Sequence, residues 1–308
     1  MPLAHVTLDG KTYTPEDLLD FLATRPGRTQ WTYELAKSIM DQQQDRKDRI
    51  STTSLTAKCL RSNAMERALP FTNALEKMYA AFRGTLYHGQ LEQYYAPGCI
   101  AEARYHATLP NGDPLSGSPD LVDISRGVLY DYKTSKSVPR FDRVWEDHAL
   151  QLQINRWLVD NAHTVDFEGK SYTLVGNSKA AKANRARFVP IDWQELAIVY
   201  LDMDGPKTIP VWKSIIVPTK DGKGTKKARV ADIWTDEQAL EVIEERYETT
   251  KEAMKFVTAA REDGNIDLGL LPPIPPGFTH QSHVLCNYCP VRVECRNYDE
   301  LERGVVSE

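Results

Sequence analysis

The sequence has no run of about 18 apolar residues, so it contains no ordinary membrane-spanning helix. Its first residues, Met1-Pro2-Leu3-Ala4-His5, lack the basic and apolar regions of an export signal, and the expected location is the cytoplasm. No G-x4-G-K-[S/T] phosphate loop occurs, so an ATP-driven motor activity is not encoded here. Internal repeats and long low-complexity tracts are also missing. Positive charge is not in excess. A formal net charge of −5 argues against a protein that coats nucleic acid, but local basic contacts are still compatible with it. Cysteine is scarce, with five in total. In a reducing compartment cysteines seldom form disulfides, and clustered ones more often bind metal or do redox chemistry.

What is present is a chain of 308 residues, 41% hydrophobic and 26% charged, the balance of an ordinary soluble protein with a sizeable core. Residues 1–50 predict a small extension. It has a hairpin or turn at Leu8-Asp9-Gly10-Lys11, then a short helix capped by Thr14 with Glu16 and Asp17 in its first turn. Ser54 to Tyr95 reads as mostly helical. The texture then changes to strands: Ile100–Leu109, a turn at Asn111-Gly112-Asp113, a returning strand Gly117–Ile124, and a third strand Val128–Thr134. Ala149–Val159 predicts a helix. Shorter strands follow at Ser171–Val175, Leu196–Asp202 and Ile209–Val217. A long amphipathic helix is expected from about Asp236 to Arg261, started by Thr235. The proline-rich Leu271–Gly277 cannot be helical and must run extended into the last residues. This gives three regions: 1–50, a core of 51–270, and a cysteine-bearing segment of 271–308.

Two strands near the middle carry Asp120, Asp131 and Lys133 in Ser118-Pro119-Asp120 and Asp131-Tyr132-Lys133. Side chains alternate along a strand, so Asp131 and Lys133 share a face and a neighbouring strand can bring Asp120 beside them. Two adjacent carboxylates repel unless a divalent cation lies between them, and oxygen ligands suit Mg²⁺ or Mn²⁺. Such an ion polarises a phosphate and acidifies a bound water, while a neighbouring lysine orients or deprotonates it. Phosphodiester hydrolysis is the reaction best served. On its own D-x-K is as compatible with a solvated hairpin. His88 on the preceding helix, and Gln151 at the start of the following one, raise the signal.

Cys286, Cys289 and Cys295 form a C-x2-C-x5-C run, and Cys59 lies far upstream as a candidate fourth ligand. Four thiolates hold either Zn²⁺ or an iron–sulfur cluster, and His280 and His283 keep zinc open. Cys99 reads as an unligated thiol. Two basic runs, Lys179–Arg187 and Lys213–Arg229, are either solvated loops or walls of a phosphate-tracking channel. Trp157 and Trp212 are the candidate stacking aromatics.

The order His88, Pro119-Asp120, Asp131-Tyr132-Lys133, Gln151 resembles the PD-(D/E)XK nuclease superfamily in its RecB-like branch. With Cys59 and the C-terminal cysteines it is similar to the iron–sulfur members, the CRISPR-associated RecB-like exonucleases and the AddB-type nuclease subunit. The resemblance implies an α/β fold with a restriction-endonuclease-like central mixed β-sheet flanked by helices, plus a C-terminal iron–sulfur region. It implies His88, Asp120 and Asp131 as ligands of Mg²⁺ or Mn²⁺, with the carbonyl of Tyr132 adding an oxygen. Lys133 would activate the water, and Gln151 would orient the lysine or touch DNA. Cys59, Cys286, Cys289 and Cys295 would hold a 4Fe–4S cluster, with zinc the alternative. The family pattern Q-x3-Y on the helix is broken by Asn155 at the tyrosine position. The implied activity is a metal-dependent DNA exonuclease working at single-stranded or duplex ends in recombination, repair or processing. Its candidate partners are a helicase, a recombinase or an integration complex. The alternatives are an end-trimming or DNA-binding subunit of a larger assembly and a non-catalytic cluster scaffold.

Overall fold

The computed structural model describes residues 3–24, 29–41, 50–93, 96–134, 142–202, 205–218, 225–262, 267–275, 286, 289–292 and 294–297. Met1, Pro2, Tyr95, Gly277, His280 and His283, all named above, lie outside these residues. In chain order the elements are β1 (Leu3–Leu8), β2 (Lys11–Tyr13), α1 (Pro15–Thr24), α2 (Tyr33–Asp41), α3 (Thr52–Leu55), α4 (Leu60–Ala68), β3 (Phe71–Ala74) and α5 (Leu75–Glu92). Then come β4 (Cys99–Ala101), β5 (Arg104–Thr108), β6 (Pro114–Gly117), β7 (Leu121–Asp123), β8 (Val128–Thr134), α6 (Glu146–Asn161), β9 (Thr164–Phe167), β10 (Lys170–Thr173) and α7 (Lys179–Phe188). The chain continues through β11 (Glu195–Asp202), β12 (Gly205–Pro210), β13 (Trp212–Pro218), β14 (Thr225–Ala231) and α8 (Asp236–Glu262). It is a mixed α/β protein.

Two compact units share the chain. The first takes residues 1–49, 57–85 and 248–308. Its sheet has the order β2-β1-β3. Asp9 and Gly10 both have positive φ, the signature of a type I′ turn, so the β1–β2 hairpin forms as expected. Thr14 accepts from the backbone N–H of Asp17 and caps α1. The expected helix over 54–95 is interrupted. Pro70 cannot continue α4, and the chain leaves as β3, which pairs parallel with β1 before α5 begins. One core layer gathers Val6, Leu18, Ile39 and Met78, and another gathers Met65, Phe256, Val257 and Val291.

The second unit takes residues 50–56 and 86–247. Its main sheet has the order β12-β11-β8-β7-β4, with β8 central. β8 pairs antiparallel with β7 and parallel with β11, so this sheet is mixed. A second sheet runs β10-β9-β5-β6. The strands expected at 100–109 and 117–124 are each divided between these two sheets. The chain leaves one sheet for the other at Glu102, which has φ +52, and again across Ser118–Asp120. The two crossings meet, because the Glu102 N–H donates to the Asp120 carbonyl. The strand expected at 209–217 is likewise split at Val211. α6 begins three residues earlier than its apolar periodicity predicts, with Glu146 and Asp147 in its first turn where carboxylates favour the helix dipole. It buries Leu152, Ile154, Trp157 and Leu158 against Tyr105, Leu129, Ile198 and Tyr200. At α8, Thr235 and Gln238 cap each other reciprocally, which fixes the start at Asp236 as expected.

Candidate active site

The crossing between the two sheets is where the site assembles. Tyr132 on β8 donates its backbone N–H to Oδ2 of Asp120 at 2.6 Å, so the central strand itself orients that carboxylate. Asp131 and Lys133 share a face of β8, and Lys133 Nζ lies 2.8 Å from Asp131 Oδ2. The same ammonium donates to Oε1 of Gln151 on α6 at 3.0 Å. The expected strand alternation therefore holds at the site, and one lysine bridges β8 and α6. Asp120 itself stands in the bend before β7 rather than on a strand.

His88 on α5 reaches the same place. Its Nδ1 is 2.8 Å from Oε1 of Glu102 and 3.4 Å from Oδ1 of Asp120. Glu102 was not among the residues expected from sequence. The only signal for it was an acidic residue inside a strand-like run, and nothing local predicts the positive-φ bend that turns it toward His88. His88, Glu102 and Asp120 offer ligand atoms that all lie within 4.8 Å of one another. Asp131 adds a carboxylate that is 1% exposed, and its Oδ1 has no hydrogen-bond partner among the described residues. A buried, orphaned carboxylate oxygen beside a compact His/Glu/Asp set suits a divalent cation.

The electrostatics agree. The hydrogen bond to Glu102 raises the His88 imidazole above its ordinary value. Burial, followed by the charge of Asp131, pushes Asp120 up to about 7. Asp131 is raised by burial, against the pull of Lys133. Carboxylates this reluctant to ionise without a counter-charge are what a cation site contains before it is filled.

Neighbouring aromatics correct one expectation. Trp157 is 4% exposed and packed in the core, so it cannot stack on a base. Trp212 gives its Nε1–H to the Asp142 carbonyl and lies under the Arg229 guanidinium at 4.1 Å. An exposed tryptophan near the site is Trp145, which precedes α6 and is 37% exposed. It packs against His148 and Tyr200, and Tyr200 is the β11 neighbour of Lys133. The basic run 179–187 is also not a loop. It is α7, capped by Ser178, with Arg187 lying over Phe167, Tyr172 and Phe188. That arginine serves packing.

The four cysteines of the expected set all belong to the first unit, while Cys99 lies on β4 of the second. Cys59 caps α4, accepting from the Ser62 N–H at 3.4 Å, and the Ser62 hydroxyl is 3.2 Å from Cys289 Sγ. Burial first, then the neighbouring thiols, raises Cys59, and burial lifts Cys289 and takes Cys295 to about 11. Cys59, Cys286, Cys289 and Cys295 are thus close enough to influence one another's ionisation. No three of these sulfurs lie within 4.8 Å of one another among the described residues. A tetrahedral zinc with bonds of about 2.3 Å would need them roughly 3.8 Å apart. The thiols as placed do not make that compact set.

Comparison with known proteins decides the family. Residues 102–296 match the model of the PD-(D/E)XK nuclease superfamily. The chain belongs to the PD-(D/E)XK nuclease superfamily. Nucleases of that superfamily use divalent metals such as Mg²⁺ or Mn²⁺, and membership implies nuclease activity with DNA as the substrate. Among solved structures, the crystal structure of SSO0001 is similar at 14% identity and a TM-score of 0.38, covering 69% of this chain and 83% of that one. No curated protein matches the sequence. No helix among the described residues is long and apolar enough to cross a membrane.

Proposed function

We propose that this superfamily member is a divalent-metal-dependent deoxyribonuclease, an exonuclease acting at single-stranded DNA ends in recombination, repair or DNA processing in the cytoplasm. One observation carries the reading: Asp120, Asp131, Lys133, Gln151 and His88 converge on the crossing between two sheets, with the carboxylates buried. His88, Asp120 and Asp131 would hold the cation, with Glu102 joining them and the Tyr132 carbonyl as a further oxygen. When bound, the ion supplies Lewis acidity to the scissile phosphate and lowers the pKa of a coordinated water. Lys133, gripped between Asp131 and Gln151, presents its ammonium in one direction, orients the attacking water and offsets charge that develops on the phosphate. Gln151 keeps that lysine from collapsing fully onto Asp131. Trp145 is an exposed aromatic available to stack on a base of an incoming strand.

For the cysteines we infer a 4Fe–4S cluster held by Cys59, Cys286, Cys289 and Cys295. What supports the reading is the C-x2-C-x5-C spacing of the last three cysteines with one distant cysteine, Cys59, in the same compact unit. Its role would be mechanical, tying the 271–308 segment back to the start of α4. A helicase, recombinase or integration complex would be the natural partner of such an end-processing enzyme.

The test is digestion of end-labelled single-stranded DNA with Mg²⁺ or Mn²⁺, using Asp131→Ala and Lys133→Ala. Each variant should lose at least about a hundredfold in rate. Cleavage that persists in both would place the chemistry elsewhere.

A further inference from the structure

β13 and β14 stand apart from the other sheets. Among the described residues they pair only with each other, as a separate two-stranded sheet in unbroken register from Trp212↔Ala231 to Pro218↔Thr225. An isolated two-stranded ribbon is marginal in water, because it has no third layer to cover it. Here most side chains of both strands are exposed, and Ile216 is 71% exposed. A ribbon kept in this state has an exposed surface with the dimensions of an interaction arm. Seven residues per strand give it a length of about 23 Å.

Its charge says what it would meet. The two strands carry Lys213, Lys226, Lys227 and Arg229 and no aspartate or glutamate. The whole chain has a formal charge of −5, so the remainder carries −9. Positive charge is concentrated on this arm and outweighed elsewhere. Paired residues share a face, which puts Arg229 and Lys227 with Trp212, Ser214 and Ile216 on one side. Lys226 falls on the other side with Lys213, Ile215 and Val217. Arg229 is paired with Asp142 and Lys213 with Asp232, so the outward cation of each face is Lys227 on one and Lys226 on the other, around an aliphatic centre.

The root of the ribbon is anchored. Trp212 is fixed by the Asp142 carbonyl and by Arg229, and Lys213 pairs with Asp232 at 3.1 Å. The outer half presents Ile216, Lys226 and Lys227 to solvent.

We propose that the β13–β14 ribbon is a duplex-DNA grip that lies in a groove of the double-stranded portion of the substrate, apart from the residues that cut. This rests on the nuclease reading for its choice of nucleic acid. The major groove, about 12 Å wide, admits a two-stranded ribbon. Cations on both faces then meet the phosphates on both walls, and the aliphatic centre is covered by the bases. A free single strand offers no such groove. The preferred substrate is thus a duplex bearing a single-stranded end, held by its duplex part and cut at its tail.

The experiment measures binding in EDTA, where no cleavage can occur. The probes are a blunt duplex of about three helical turns and a single strand of equal length. Lys226→Glu with Lys227→Glu should weaken duplex binding about tenfold or more and reduce the salt slope of log K by about 2. Single-strand binding and Mg²⁺-dependent cleavage of a short single strand should stay unchanged. An unaltered duplex affinity and slope would overturn the grip. So would an equal loss on both probes, which would mean unspecific attraction. A third result against it would be Ile216→Asp changing the oligomeric state while leaving duplex binding intact, since the ribbon would then be a protein contact. If the wild type cuts nothing but the duplex-selective loss is seen, the nuclease reading fails and the grip stands.

Discussion

Asp120 is held in its folded state at a cost, and the sign of that cost is measurable. Its carboxyl is pushed up to about 7 by burial and by Asp131, against about 3.9 in an unfolded chain. Between those values the native state binds more protons than the unfolded one. Stability of the metal-free protein should therefore fall as pH rises through the window from about 4 to about 7. The raised His88 acts in the same direction. In EDTA, Asp120→Asn should be more stable than wild type at pH of about 8, by roughly 2 kcal/mol, and nearly equal to it at pH of about 4, while losing cleavage. Thermal scans at both pH values check this, and a variant that loses as much stability as wild type on going from the lower to the higher pH would contradict it. At this scale the sequence was informative wherever the chemistry is written into neighbouring letters. Asp131, Lys133 and His88 were legible because strand alternation and chain order place them. Glu102 was not, because a backbone bend with positive φ delivers it and no residue type announces that bend.

Among the elements, the turn feeding β8 is the most constrained. Gly127 has φ +64, and a Cβ there would run into the Asp192 carbonyl. Its own carbonyl accepts from the N–H groups of Gln194 and Glu195, which start β11. Gly127→Ala should cost more than about 2 kcal/mol, through both conformation and collision. Gly112→Ala, at φ +89 with open space around it, should cost only about 1 kcal/mol. Denaturant midpoints of the pair decide this, and equal losses would mean that the contact at Asp192 does not matter. The turns, the caps at Thr14 and Thr235, and the long α8 were readable because Gly, Thr and periodicity act locally. The division of two expected strands between two sheets was not. Alternation along Ile100–Leu109 looks the same whether the chain stays in one sheet or crosses to another, and the choice is made by the partners across the ladder. Trp157 misled for a similar reason, since an aromatic on a helix reads alike whether it faces solvent or Leu129.

For the whole molecule, the first unit is the part that sequence order conceals. It is built from three separated segments, and its cysteines come from two of them. If a 4Fe–4S cluster ties them, anaerobically purified protein should contain about four iron atoms per chain and absorb broadly in the visible range. Cys59→Ser or Cys286→Ser should lose the iron and lower the melting temperature by several degrees, since the tie closes a very long loop. Cys99→Ser should do neither. Full iron and full stability in Cys286→Ser would rule out the tie. The family was legible because the order of its motif residues, from His88 to Gln151, survives changes in the distance between them. Of the β13–β14 ribbon the sequence showed a strand over Ile209–Val217 and a basic run, but not their ladder, because whether lysines line a loop or arm a ribbon depends on what else pairs with them.

The parallel pairing of β8 with β11 sets a timetable for the enzyme. β8 carries Asp131 and Lys133, yet the strand on its far side begins at Glu195, and α6 must pass between them in the chain. A growing chain has all of the proposed cutting residues by Gln151 but cannot flank their strand until β11 follows. Pairing of this long range is slow to form. On the proposed reading, nuclease activity should therefore be absent from truncated chains that stop before β11, which digestion of labelled DNA by such chains checks.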